Sequence, residues 1–230
     1  METPTVGHYD RVVILVSVSG ACSRAGKTAL AVSLLGALPR GEPAAVKFTT
    51  TEDVFKRCPR GMPCVVCDID VPYRIVTDAT TLAETGTDTA RLGETGAKPV
   101  VWAIARAAAV ANAWAEVRRR VAARPLVVME GSTITRHARP DLHFFVVHPF
   151  LSPDRWKPGS GELIAGCDGV VVNVPRSERR APSAAVLAEV RRHRGDATVL
   201  LGDVTSPLAE WAPGLAARVE TLRASAPPPA

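Results

Sequence analysis

The stretch Val12-Val13-Ile14-Leu15-Val16-Ser17-Val18-Ser19-Gly20-Ala21-Cys22-Ser23-Arg24-Ala25-Gly26-Lys27-Thr28-Ala29-Leu30-Ala31-Val32-Ser33-Leu34-Leu35 decides the fold. A β-branched, apolar run reads as a buried strand. A small-residue loop follows, and then a good helix former. Ala21 to Thr28 (Ala21, Cys22, Ser23, Arg24, Ala25, Gly26, Lys27, Thr28) fits the phosphate-binding loop pattern, with Ala at the first glycine position and Gly20 just before it as a source of flexibility. Phosphate oxygens need several backbone N–H donors converging on one point, and a loop without bulky side chains lets the backbone approach. The helix that follows adds unpaired N–H groups and the positive end of its dipole. In this reading Lys27 carries charge to the β- and γ-phosphates, and the Thr28 hydroxyl completes a Mg²⁺ shell.

The same run ends at Ser19-Gly20-Ala21-Cys22, which invites comparison with a lipoprotein signal. Glu2 and Asp10 in place of a basic cluster, and Ser19 where such signals want Leu, argue against it. The apolar stretch is also too short for a transmembrane helix. With 230 residues and 47% hydrophobic content, the chain has the material for one α/β domain with a sizeable core. The formal charge of +5 comes largely from Arg and suits anionic ligands. No basic patch interleaved with aromatics points to nucleic acid. Five cysteines, an odd count, together with the phosphate loop point to the reducing cytoplasm rather than a disulfide framework.

Along the chain, Met1 to Asp10 reads as a flexible leader (1–10), 11–223 as the nucleotide-binding domain and 224–230 as a disordered tail. The first helix runs to about Leu38 and is stopped by Pro39-Arg40-Gly41-Glu42-Pro43. Ala44 to Thr49 reads as a second strand. Residues 54–86 show no sustained periodicity and read as an irregular insertion over the active face. A short helix over 88–96, a strand over 100–104, a helix over 105–123, strands over 126–129 and 142–147, a polar loop over 150–161, a strand over 169–172, a helix over 183–193, a strand over 198–201 and a broken last helix over 208–223 follow. This alternation predicts an α/β fold: a mostly parallel sheet with helices on both faces and a cysteine-containing insertion.

Three further features carry chemistry. Leu126-Val127-Val128-Met129-Glu130-Gly131 delivers Glu130 to the sheet's carboxyl edge, where a carboxylate holds Mg²⁺ or orients the attacking group. Lys27 and Glu130 are therefore the candidate catalytic residues. Cys58, Cys64 and Cys67 have the spacing C-x5-C-x2-C, and three thiolates in ten residues can converge on one Zn²⁺ or an iron–sulfur cluster, with the fourth ligand open. Asp68 and Asp70 read as a polar turn. Asn173 ends a Val-rich strand, where an Asn can read a nucleotide base. A guanine reader adds a nearby Lys and Asp, which Val174-Pro175-Arg176 does not supply, so ATP versus GTP stays open. Asp154, Lys157, Arg176, Arg179 and Arg180 read as surface charge, and His143 as half-buried in its strand.

Together the loop Ala21 to Thr28, Lys47, the segment Asp88-Thr89-Ala90-Arg91 followed by Gly96-Ala97, and Glu130-Gly131 resemble the P-loop family that includes the molybdopterin-guanine dinucleotide biosynthesis adaptor protein, MobB. The matches span roughly the first 130 residues. The resemblance implies a P-loop NTPase fold, binding of ATP or GTP, Mg²⁺, a homodimer and service to a cofactor-assembly enzyme. The chain departs from the family at Lys47-Phe48, where Lys-His is usual, in its cysteine-rich insertion and in its greater length. The leading expectation is thus a Mg²⁺-dependent NTPase assisting metal-cofactor assembly. A small-molecule kinase on the same fold and a non-hydrolysing metal-binding scaffold are the alternatives.

Overall fold

The computed structural model describes residues 14–37, 43–51, 69–195 and 199–225. The three cysteines Cys58, Cys64 and Cys67, with Asp68, lie outside the described residues, as do the leader and residues 226–230. In chain order the elements are β1 (Ile14–Gly20), α1 (Lys27–Ala37), β2 (Ala44–Thr50), β3 (Tyr73–Val76), α2 (Ala79–Leu82), α3 (Asp88–Glu94), β4 (Val100–Ala105) and α4 (Val110–Val121). There follow β5 (Leu126–Glu130), α5 (Thr135–Ala138), β6 (Leu142–Val147), α6 (Ser160–Ala165), β7 (Gly169–Asn173), α7 (Ala184–Arg194), β8 (Val199–Gly202), α8 (Leu208–Trp211) and α9 (Pro213–Ser225).

The strands form one eight-stranded sheet in the order β3-β4-β2-β5-β1-β6-β7-β8. Every neighbouring pair is parallel except β3 with β4. The central strands β1, β5 and β6 are buried along their whole length, as continuous apolar runs in a parallel sheet must be. The period of two sorts their side chains. Val16 and Val18 of β1, Ala45 of β2 and Leu126 and Val128 of β5 join Leu30, Leu34 and Leu35 of α1 in one core. Leu15, Val46, Phe48, Val127 and Met129 face the other way and pack against Val110, Trp114, Val117 and Val121 of α4. By the same parity Lys47 and Glu130 lie on the face that α1 covers.

The structure corrects several sequence expectations. The described end of the segment read as irregular insertion (69–86) contains β3, an antiparallel edge strand, and α2, capped by the Asp78 side chain accepting from Thr81 N. Four residues with no strong alternation carry too weak a signal for a strand; pairing with β4 decides it. Ala105 closes β4, so α4 begins at Val110 after a 3₁₀ turn over Ala107–Ala109. The loop over 150–161 carries a 3₁₀ turn at Pro153–Arg155 and then enters α6 at Ser160. Lys47 lies inside β2, which extends to Thr50. His143 is buried, only 4% exposed, rather than half-buried.

Candidate phosphate-binding site

In an open parallel sheet, ligands bind outside the carboxyl ends of the strands where the strand order reverses. Here that place is the end of β1. The chain leaves β1 toward β2 on one side and later returns to lay β6 on its other side. The loop from Ala21 to Gly26 rises there and turns into α1. Gly26 has φ +108°, and a Cβ on it would lie 2.5 Å from the Asn173 side-chain nitrogen, so only glycine fits. Gly20 is equally constrained, because a Cβ there would lie 2.7 Å from the Val146 carbonyl oxygen. Main-chain bonds tie the loop down: Ala21 N donates to Val146 O (3.0 Å), and Lys157 N donates to Ala21 O (2.7 Å). The Ser132 hydroxyl lies 3.3 Å from Gly20 N.

Lys27 is the first residue of α1. Its ammonium donates to Cys22 O at 2.8 Å, folding back over the loop. Thr28 donates its hydroxyl hydrogen to Glu130 Oε2 at 2.7 Å. The other carboxylate oxygen, Oε1, accepts from Lys47 Nζ at 2.7 Å, and Lys47 also donates to Asp88 Oδ2 at 2.6 Å. The register explains the meeting: Lys47 of β2 stands directly opposite Glu130 of β5, and Val18 of β1 opposite Glu130 on its other side. Asp88 arrives in the first turn of α3, whose N-cap Thr87 accepts from Ala90 N. Glu130 is 1% exposed, so this carboxylate persists in the interior only because both of its oxygens are hydrogen-bonded.

The two lysines respond oppositely to this setting. Burial pulls the Lys27 ammonium down to about 8, and the nearby Lys157 and Lys47 charges add to that, against Glu130. Burial also acts against Lys47, but Glu130 and Asp88 outweigh it and hold its pKa above the ordinary value. Burial opposes ionisation of Asp88, yet the Lys47 charge and its hydrogen bond keep it below the usual carboxylate range.

Among the sequence-predicted residues, the structure brings Ala21 to Thr28 and Glu130 together at one place. Asn173 reaches the same loop by another route. Its Nδ2 donates to Ala25 O at 3.1 Å and its Oδ1 accepts from Val204 N at 3.3 Å, so its amide braces the loop against the end of β8. The next residue there, Asp203, accepts from Arg176 N and from Thr205 N, both at 2.9 Å. Cys22 is half-buried, and burial raises its thiol pKa against the nearby Lys27, Lys157 and Arg155 charges. Cys167 is buried, donates to Ile164 O, and has its pKa pushed up to about 11 by burial. Among the described residues, no three His, Cys, Asp or Glu side chains converge on a metal position. No helix among them is long and apolar enough to cross a membrane.

With this geometry in place the chain can be set beside known proteins. No protein-family model matches it, and no curated protein matches it. HypB from Helicobacter pylori, solved in complex with nickel, is similar in structure: TM-score 0.52 over 92% of this chain and 87% of that one, at 9% identity. The two chains share a fold, which in this chain is a mostly parallel eight-stranded sheet with helices on both faces. At this identity the likeness concerns the path of the chain and not its chemistry.

Sequence reasoning left three residues without a role. Lys47 and Asp88 entered only through the resemblance, and Lys157 was read as surface charge. A signal for Lys47 did exist: a lysine between Val46 and Phe48 in a strand covered on both faces must find a buried partner. Nothing local marked Lys157. A cavity of about 180 Å³ elsewhere, lined in part by Thr135, Arg136, His143, Glu162 and Asp168, is paired within itself. Arg136 bonds Glu162 at 2.7 Å, and Asp168 accepts from His143 N at 2.9 Å and from Arg218 at 2.9 Å. His143 Nε2 and Ser19 Oγ lie 2.5 Å apart, and burial pulls the His143 pKa down to about 4 against Asp168, so it is neutral at physiological pH.

Proposed function

We propose that this protein is a Mg²⁺-dependent P-loop nucleoside triphosphatase, taking ATP or GTP, that serves the assembly of a metal cofactor. The observation that carries the nucleotide part is the Thr28–Glu130–Lys47–Asp88 network at the root of the phosphate loop. The Thr28 hydroxyl and the Glu130 and Asp88 carboxylates are hard oxygen donors, and one or two carboxylates completed by substrate phosphates is the set Mg²⁺ prefers. The residues fit the ion; when bound, Mg²⁺ supplies charge neutralisation on the β- and γ-phosphate oxygens. Lys27 leaves Cys22 O for the phosphates, while the loop N–H groups and the α1 dipole orient them. Lys47 holds the Glu130 carboxylate in place, so that Glu130 can accept a hydrogen bond from the attacking water.

The cofactor-assembly part is supported by the fold shared with nickel-bound HypB and by the sequence spacing of Cys58, Cys64 and Cys67. In this reading those thiolates hold Zn²⁺ or an iron–sulfur cluster, the protein works as a homodimer with an assembly enzyme, and it resides in the cytoplasm.

The test is product analysis with Mg²⁺ and ATP or GTP, alongside Glu130→Gln. Wild-type protein should release inorganic phosphate. Glu130→Gln should keep nucleotide binding and lose about 100-fold in turnover, the scale of removing one electrostatic group acting in the transition state. Phosphate found on an acceptor would replace this reading with a kinase, and binding without turnover would replace it with a scaffold. Absence of any nucleotide binding would overturn the site itself.

A further inference from the structure

Of the five lysines in this chain, against 23 arginines, three gather at the phosphate loop: Lys27, Lys47 and Lys157. Arginine decorates the helices, as at Arg118, Arg119 and Arg120 in the last turn of α4 and Arg191, Arg192 and Arg194 in that of α7. Lysine is the compact point charge that fits beside a phosphate in a narrow site. Lys157 comes from the segment after β6, far in sequence from the loop, and its backbone N–H donates to the carbonyl of Ala21, the loop's first residue.

That segment is held on both sides. The Trp156 indole N–H donates to Leu151 O at 3.1 Å, and its ring packs against the core around Phe145 and Ile164. Lys157 O accepts the Ser160 hydroxyl at 2.7 Å. The Lys157 charge is felt by Lys27 and by Cys22, and Lys157 in turn feels Lys47, Cys22 and Glu130. Yet Lys47 takes both nearby carboxylates, Asp88 and Glu130. Among the described residues Lys27 and Lys157 have no ion-pair partner. Lys27 opens an eleven-residue helix, and the Lys157 backbone is bonded to the loop that leads into it; two cations so brought together balance when an anion of high charge lies between them.

We propose that Lys157 is a third phosphate-binding cation of this site, directed at the terminal phosphate and so making the site selective for nucleoside triphosphate over diphosphate. This inference rests on the nucleotide-site reading above. Lys27, on the loop, serves both nucleotides; Lys157, brought in from outside the loop, serves the extra phosphate.

The experiment is calorimetric titration of wild type, Lys157→Ala, Lys157→Arg and Lys27→Met with ATP, ADP, GTP and GDP in Mg²⁺. Lys157→Ala should weaken triphosphate binding about tenfold and leave diphosphate binding within about twofold. Lys157→Arg should keep most of the preference. Lys27→Met should weaken both classes. Equal losses for tri- and diphosphate in Lys157→Ala, or no loss at all while Lys27→Met weakens both, would overturn this inference alone. Wild-type protein that binds none of the four nucleotides would overturn both it and the nucleotide site. A thermal melt of Lys157→Ala separates binding from folding; the exposed side chain should leave Tm unchanged.

Discussion

Two lysines sit side by side in this molecule and are treated in opposite ways. Lys47 is anchored within β2, 16% exposed in its side chain, and bonded to two carboxylates. Lys27 is carried by the loop-to-helix turn, and among the described residues its ammonium donates to the Cys22 carbonyl. The folded protein strengthens the charge on the first and weakens it on the second. Lys47 is thus a structural cation that fixes Glu130, while Lys27 has no ion-pair partner among the described residues. For Lys27 the fall from 10.5 to about 8 corresponds to roughly 3 kcal/mol at neutral pH, spent on keeping an unpaired charge at the site.

The largest effect should come from breaking the Lys47 side. Lys47→Met leaves Glu130 buried with an unpaired charge, which typically costs about 3–5 kcal/mol. In a domain of this size that lowers Tm by on the order of 10 °C. Thermal unfolding at pH 7 checks it, and an unchanged Tm would show that Lys47 does not stabilise the fold.

Lys27 should behave in the reverse manner. Lys27→Met should keep or raise Tm, while nucleotide binding weakens by about 2 kcal/mol, roughly 30-fold. The pH dependence follows from the sign. A lysine whose folded pKa is depressed destabilises the fold while it is charged in the unfolded chain, so the cost is full below about 8 and disappears as pH rises toward 10.5. Phosphate binding needs the charged form. Wild-type affinity should therefore fall above about pH 8, with Lys27 contributing at most about tenfold per pH unit. In Lys27→Met the slope should shrink to what Lys157, whose pKa is also lowered, contributes. A pH-independent wild-type affinity between 7 and 10 would contradict this assignment of roles.

The smallest effect should come from pairs that resemble the Lys47 network only on paper. Arg119 with Glu116 and Arg192 with Glu189 are ion pairs three residues apart on exposed helix faces. Solvent screens them, and holding two long side chains in place offsets most of the gain. Arg119→Ala and Arg192→Ala should leave Tm and nucleotide binding unchanged within error; a resolvable Tm drop would mean that the exposed face contributes to the fold.

The α/β alternation, β1, the small-residue loop after it, α1 and the placement of Glu130 at a strand end were all legible from residue order. Each depends on local rules: β-branched apolar runs, small residues in the turn, and the 3.6-residue helix period. Elements of four residues were not legible. β3, α2 and α5 have too few residues for a period to emerge, and they exist because a neighbour pairs with them or packs on them.

The site divides along the same line. Residue identity and spacing alone determined the turn from β1 through the loop at Ala21 to Gly26 into α1, because the apolar run, the small residues and the helix former are contiguous in the chain. Only the tertiary structure decided that Lys47, Asp88 and Glu130 meet, since they are separated by 41 and 42 residues and join only where β2 and β5 lie in register and α3 docks beside them. The same holds for Asn173 donating to Ala25 O and for the Lys157 N–H donating to Ala21 O. A strand order of β2-β5-β1-β6 cannot be read from a chain, because which strands become neighbours depends on how all the apolar faces are buried at once.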